Sequence, residues 1–195
     1  MIYHLIRYMK NYFLFLVLAG YANFAISQNF KQEAIEAKDT AYKCFIKLTD
    51  SAILKYEHLK NKMPPLSYGF LEGDGEKLKY QAEDILCFQD EKGYWLRIVN
   101  PSLSRTLIVG RYSFDNFFAV RIVKGEIEMF RKYSGGEPVY FIKKGTAFQP
   151  LDKWGVGLKN MMKDNKTLYN DIDVSGRADM KELVKIAQEY NKKGK

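Results

Sequence analysis

Histidine and cysteine are nearly missing from this chain: its 195 residues hold 2 His and 2 Cys. One histidine, His4, lies in the opening stretch, which leaves His58 as the histidine of everything downstream. With that histidine and two scattered cysteines, the usual tetrahedral Cys/His zinc sets cannot be assembled. A Ser-His-Asp triad would have to use His58, and neither Ser67 nor Ser113 is framed by glycine on both sides as a nucleophile elbow requires. A thiol pair of Cys44 or Cys87 with His58 is the remaining nucleophilic arrangement; the plainer expectation is a solvent-facing His58 and cysteines packed as small hydrophobes. Gly155-Val156-Gly157 follows Gln149-Pro150-Leu151-Asp152 instead of an apolar strand and has Asn160 where a dinucleotide loop needs its third glycine. It reads as a loose first helical turn. No catalytic, cofactor-binding or metal-ligating residue is assigned, and no cofactor is expected.

Long apolar runs are missing too. The longest, Tyr12 to Ala19, is followed by Gly20 and Asn23 and falls short of the roughly 20 residues that cross a bilayer. It suits a secretory leader instead: Arg7 and Lys10 supply the positive start, YFLFLVLA the apolar middle, and Ala25-Ile26-Ser27 the small-residue site. Residues 1–27 are therefore expected to be cleaved between Ser27 and Gln28, with translation starting at Met1 or Met9. No cysteine stands just after the site, the cysteines being Cys44 and Cys87, which speaks against a lipoprotein signal. Export to the periplasm or cell surface follows, with no transmembrane segment after cleavage and no nucleic-acid partner. Losing Arg7 and Lys10 lowers the formal charge from +8 to +6. The remaining excess is dispersed, and Lys192, Lys193 and Lys195 read as a solvated basic tail. An oxidising compartment allows a Cys44–Cys87 disulfide. Against it, both lie in apolar, strand-like contexts (YKCFIKL and DILCFQD) where a free thiol packs well.

What the chain has in quantity is alternation. After a polar lead-in over 28–40, apolar and polar residues alternate across 41–150, interrupted by short turn signals. Ala41–Leu48 and Ala52–Leu59 flank Thr49-Asp50-Ser51; Tyr68–Glu72 and Lys77–Tyr80 flank Gly73-Asp74-Gly75; Ile85–Gln89 and Tyr94–Val99 enclose Asp90 to Gly93. Phe117–Val123 and Glu126–Tyr133 meet at Lys124-Gly125, and Val139–Lys143 and Thr146–Phe148 at Lys144-Gly145. Strands joined by tight turns pair antiparallel. From Asp152 the period changes: Trp154, Leu158, Met161 and Met162 fit one helix face, Leu168 to Ile172 a short helical stretch, and Leu183, Ile186, Ala187 and Tyr190 a second face introduced by Ser175-Gly176. The expected fold is α+β: an antiparallel β-meander over 41–150, curled or half-barrel, followed by two to three C-terminal α-helices in 151–195 that cover it.

Two composition features remain. Glu72, Asp74, Glu76, Glu83 and Asp84 crowd one region, as a carboxylate-based hydrolase would need, yet their turn positions favour solvation. Aromatics interleave with cations, as in Lys77-Leu78-Lys79-Tyr80 and Phe130-Arg131-Lys132-Tyr133. These pairs can stack on sugars or bases, but alternating strands produce the same pattern by placing one side chain in the core and the next in water.

The order of leader ending before Gln28, the KLKYQAEDILCFQ stretch, the hairpin FFAVRIVKGEIEMFRKY, YFIKKG, and a last helix closing on Glu189-Tyr190-Asn191 resembles a group of uncharacterised exported proteins of Bacteroidetes-type bacteria. The resemblance implies an envelope setting and carries over no catalytic residue. It also implies that Asp39-Thr40-Ala41 and Asp50-Ser51-Ala52 are O-glycosylation tripeptides, with Thr40 and Ser51 as acceptors. The leading expectation is a non-enzymatic envelope module that binds a protein or glycan through a sheet face or edge. A carrier holding an apolar small ligand between sheet and helices comes second, and a carboxylate or Cys-His hydrolase third.

Overall fold

The computed structural model describes residues 31–61, 71–99, 116–134 and 137–193. The chain divides into two compact units, Met1–Glu33 and Ala34–Lys195, and the strands and C-terminal helices all belong to the second. The strands are β1 (Cys44–Leu48), β2 (Ile53–Tyr56), β3 (Leu59–Asn61), β4 (Leu71–Gly73), β5 (Glu76–Lys77), β6 (Ile85–Asp90), β7 (Gly93–Val99), β8 (Asn116–Val123), β9 (Ile127–Ser134), β10 (Glu137–Lys144) and β11 (Ala147–Pro150). A 3₁₀ turn over Ala82–Asp84 precedes β6, residues 31–36 are helical, and the C-terminal helices are α1 (Val156–Met161), α2 (Lys166–Asp171) and α3 (Met180–Lys193).

An eight-stranded antiparallel sheet in the order β11-β10-β9-β8-β7-β6-β1-β2 forms the body, open at β2 and β11, and β3-β4-β5 make a separate three-stranded sheet. The fold is α+β, a meander followed by helices. It differs from a plain meander in one respect. The run from Ala52 to Leu59 splits into β2 and β3 at Glu57-His58, where the Asp74 carboxylate accepts the backbone N–H of both, the His58 bond at 2.7 Å. The chain leaves the main sheet there, β4 and β5 return through Asp74 and Gly75 with φ of 50° and 90°, the positive pair a tight hairpin turn needs, and β6 re-enters beside β1.

Residues directly opposite across an antiparallel ladder share a face. Leu54, Ile46, Phe88, Trp95, Val120, Arg131 and Tyr140 thus form one row on the first face. Two covers divide that face. Leu59, Leu71 and Leu78 of the small sheet pack over Cys44, Ile46, Ile85 and Phe88. The helices set Leu158, Met162, Leu168, Ile172, Leu183, Ala187 and Tyr190 on Ile122, Ile127, Met129 and Ile142. Trp95 touches both cores, stacked on Phe88 at 5.8 Å. Each fully buried side chain of this size stabilises the fold by about 1.5–3 kcal/mol.

Two register shifts enlarge the first face. At Lys47/Leu48 the pairing jumps from Cys87 to Ile85, so that Ile85 joins Phe88 in the core and Leu86 is left exposed. At Arg121/Val123 the shift brings Ile122 and Val123 together opposite Met129. Bulges of this kind turn a period-2 strand into a locally two-residue apolar step. Trp154 is the one helix-face residue that misses its place. Helix α1 starts only at Val156, after Gly155 at φ 73°, so Trp154 precedes the helix and is 40% exposed while Leu158 and Met162 are buried.

Candidate functional site

The residues with nucleophilic or acid–base chemistry do not converge. The His58 ring bonds Glu91 through Nδ1 at 3.0 Å on the surface, while Cys87 is buried on the other side of the sheet, where burial pushes its thiol pKa up and the Tyr94 hydroxyl bonds it. Cys44 and Cys87 are both free thiols. They lie on neighbouring strands, but Cys44 shares the first face with Ile46 and Cys87 pairs with Lys47 on the opposite face, so the disulfide that the compartment would allow is not made and both thiols are packed, as their apolar contexts favoured. Of the carboxylates, Asp74 holds the β2–β3 break, Asp84 accepts the Gln81 N–H at the 3₁₀ turn, and Glu72 pairs with Lys60 at 3.7 Å. Among the described residues no His/Cys/Asp/Glu group could hold a metal ion. Gly155 and Gly157 open α1, whose N–H groups at Val156 and Gly157 donate to Asp152. Thr40 is exposed beside the Asp39 anchor, and Ser51 is exposed at the tip of the β1–β2 turn with φ 74°. Ser27 and Gln28 lie outside the described residues.

The second face of the sheet is where polar and apolar groups gather. At its turn end is a buried ion network. Arg121, in the apolar string FFAVRIV, is 4% exposed. Its Nε donates to the Ala37 carbonyl at 2.8 Å, and its terminal nitrogens to Asp39 at 2.9 Å and Glu128 at 2.8 Å. Its guanidinium lies 3.9 Å from the Tyr94 ring centre. Lys124 adds a second cation to Asp39 at 3.0 Å, and Lys143 one to Glu128 at 2.9 Å. Burial raises the Asp39 pKa, but hydrogen bonds from Lys124 and Arg121 and their charges outweigh it, and the carboxyl ends below its usual value. Gln89, fully buried, accepts the Asp39 N–H and donates to the carbonyls of Asp39, Tyr42 and Lys43. Through these bonds residues 37–43 are strapped to the sheet.

Beyond the network the same face turns aromatic. Ile98, Ala119, Phe130 and Phe141 are buried, with Tyr94, Leu96, Phe117 and Val139 packed partly exposed around them, and every one of these comes from β7 to β10. Phe148 of β11 stacks on Phe141 at 5.7 Å and is 37% exposed. Lys132 rises from the middle of the cluster with its ammonium 3.8 Å from the Phe117 ring centre. Burial lowers its pKa to about 8, as desolvation does to an ammonium among apolar groups. Sequence reasoning missed Arg121, and named Lys132 only within the Phe130-Arg131-Lys132-Tyr133 interleaving. A charged residue in a strand as apolar as FFAVRIV was the available signal for Arg121, and Lys132 had none beyond its place between aromatics.

On the helix side, Lys144 donates to Tyr190 at 2.6 Å, to Asp164 at 2.9 Å and to the Met161 carbonyl, and Tyr190 donates to Asp164 at 2.6 Å. This cluster ties α1 and α3 to β10. The seam it closes is filled by Ile127, Met129, Ile142, Leu158 and Met162, each at 0% exposure. Asp90, buried under Trp95, accepts three N–H bonds on one oxygen, from Lys92, Gly93 and the Trp95 indole, and so builds the β6–β7 turn. Among the described residues no helix is long and apolar enough to cross a membrane. Open antiparallel sheet, helical cover on one face and an aromatic, cationic second face define the chain structurally. Comparison with known proteins finds no match among family models, curated proteins or solved structures.

Proposed function

We propose that this is an exported protein of the bacterial envelope that works by binding and not by catalysis, with the second face of the sheet as its binding surface. The observation that carries the reading is the sheet-borne cluster of Phe117, Phe130, Phe141 and Phe148, which stands apart from both cores of the first face. A sheet needs one apolar face to fold, so a second one, with partly exposed aromatics, is the kind of surface that marks an interaction site. His58, Asp74 and Asp84 are each engaged in local structure, which turns the reading away from hydrolysis. The filled seam between sheet and helices supports the second face, and not the space between the layers, as the binding surface.

Export is checked by sequencing the N-terminus of the protein recovered from the native host, where Gln28 is the expected first residue. The face is checked by placing a photo-crosslinking amino acid at Phe148 in intact cells, with exposed Lys185 of α3 as reference position. Adducts specific to position 148 support the reading. Equal yields at the two positions contradict it.

A further inference from the structure

We propose that Asp90 is a proton switch at the junction of the two cores of the first face: protonated, it keeps Trp95 and the β6–β7 turn packed dry, and ionised, it admits water there. The device lies on the first face and is independent of the binding surface proposed for the second.

The geometry divides the two oxygens of this carboxyl. Asp90 ends β6 opposite Gly93 and is 1% exposed. Its Oδ1 accepts the N–H of Lys92 and of Gly93 at 2.9 Å each and the Trp95 indole N–H at 3.0 Å. Its Oδ2 is buried and has no hydrogen-bond partner. An ionised carboxylate carries its charge on both oxygens and accepts through both, whereas a protonated one has a single carbonyl oxygen and a hydroxyl. Three donors on one oxygen and none on the other is the division that the protonated form fits. A charge on a bare, desolvated oxygen also costs far more than a hydroxyl left unpaired there.

The position gives the proton something to act on. Trp95 belongs to the edges of both cores and stacks on Phe88 at 5.8 Å. The turn itself has no slack, since a Cβ at Gly93 would meet Val120 of β8 at 2.8 Å. Titratable neighbours come from three directions. On the turn, the Lys92 charge favours the ionised form of Asp90, while Glu91 is drawn to the surface by His58, with Lys43 and Lys60 also acting on it. On β1, burial pushes the Cys44 thiol up and the Asp90 charge adds to that, against the charge of Lys38. The balance at Asp90 follows the geometry: burial raises its pKa by more than the three N–H bonds and Lys92 lower it. The folded chain then holds this proton more tightly than the unfolded one. The stabilisation is complete below the unfolded value of about 3.9 and is lost as pH rises through the folded pKa, the reverse of Asp39.

The test uses tryptophan fluorescence. The chain has 2 Trp, so W154F leaves Trp95 as the reporter beside Asp90. Emission and acrylamide quenching of the purified W154F chain, followed from about pH 3 to pH 7.5, should show one step with its midpoint above about 3.9. Emission should shift to the red and quenching rise on the alkaline side. D90N in the same background should abolish the step, and H58N should leave it in place. Because D90N can fail by unfolding, the carboxyl carbon of Asp90 is also titrated by carbon-13 NMR in the native sequence, where a midpoint above about 3.9 is expected. A Trp95 signal flat above that pH, a step that survives D90N or vanishes with H58N, or an Asp90 carboxyl titrating at or below about 3.9 would overturn the proposal.

Discussion

Arg121 shows what a single residue does when a strand buries it. Its side chain is 5% exposed and meets Asp39 and Glu128, themselves 32% and 16% exposed. Removing one partner of a buried pair leaves the others desolvated and costs about 3–5 kcal/mol. Because Asp39 keeps Lys124 and Glu128 keeps Lys143, R121A should cost nearer about 2–3 kcal/mol in urea unfolding. K143A, whose side chain is 36% exposed, should cost no more than about 1 kcal/mol. The pH dependence follows from Asp39. Its folded pKa lies below the unfolded value of about 3.9, so its stabilisation is fully present above that value and is lost as pH falls through the folded pKa. Urea midpoints followed from pH 6 to pH 2.5 should fall for the native chain, and D39N should remove part of that slope while lowering the plateau at pH 6. None of this was legible in the sequence, because Asp39 and Arg121 are 82 positions apart and Asp39 stood out only through Thr40.

At the scale of elements, turns and apolar periods were legible and interruptions were not. The β6–β7, β8–β9 and β10–β11 hairpins lie where alternation and glycine put them, since both signals are local. The split of β2 from β3 depends on Asp74, from 16 positions away, accepting the His58 N–H. The late start of α1 depends on Asp152, which accepts N–H bonds from Trp154, Val156 and Gly157 and is held below its usual pKa by them despite burial. D152A should therefore lower stability by about 1–2 kcal/mol, and D152N, which keeps an accepting oxygen, by less. The C-terminal helix is anchored by Asn191, which accepts the Ile127 N–H at 2.9 Å and donates to the Ile127 carbonyl at 2.8 Å. A Cβ at Gly125 would run into the Asn191 side chain. G125A and N191A should each destabilise by about 1–3 kcal/mol, and the double variant by clearly less than their sum, as groups sharing one contact do.

Over the whole molecule, the fold class was legible because meander and amphipathic helix each write a distinct period. The arrangement of layers was not. Alternation says that successive side chains face opposite ways, but it cannot say that the odd and even sets of β7 to β10 are both apolar until register aligns them. Phe117, Phe130 and Phe141 looked like core by composition. Only when Ile98 pairs with Phe117 and Phe130 with Phe141 does a second cluster separate from the one beneath the helices. The cations of that face, spread over β1, β2, β8, β9 and β10, are likewise invisible as a set until the strands align. The two faces therefore differ: one holds helices and small sheet to make the fold, the other carries the second cluster, the surface proposed for binding.

That division is tested most directly by radical footprinting of the protein in intact cells and after purification. Phe148, Phe117, Leu96 and Val139 should be labelled in the purified protein and protected in cells, while Trp154 and Val156, 40% and 43% exposed at the start of α1, should be labelled alike in both. Equal labelling of Phe148 in the two states, with protection confined to Trp154 and Val156, would contradict a binding role for the second face.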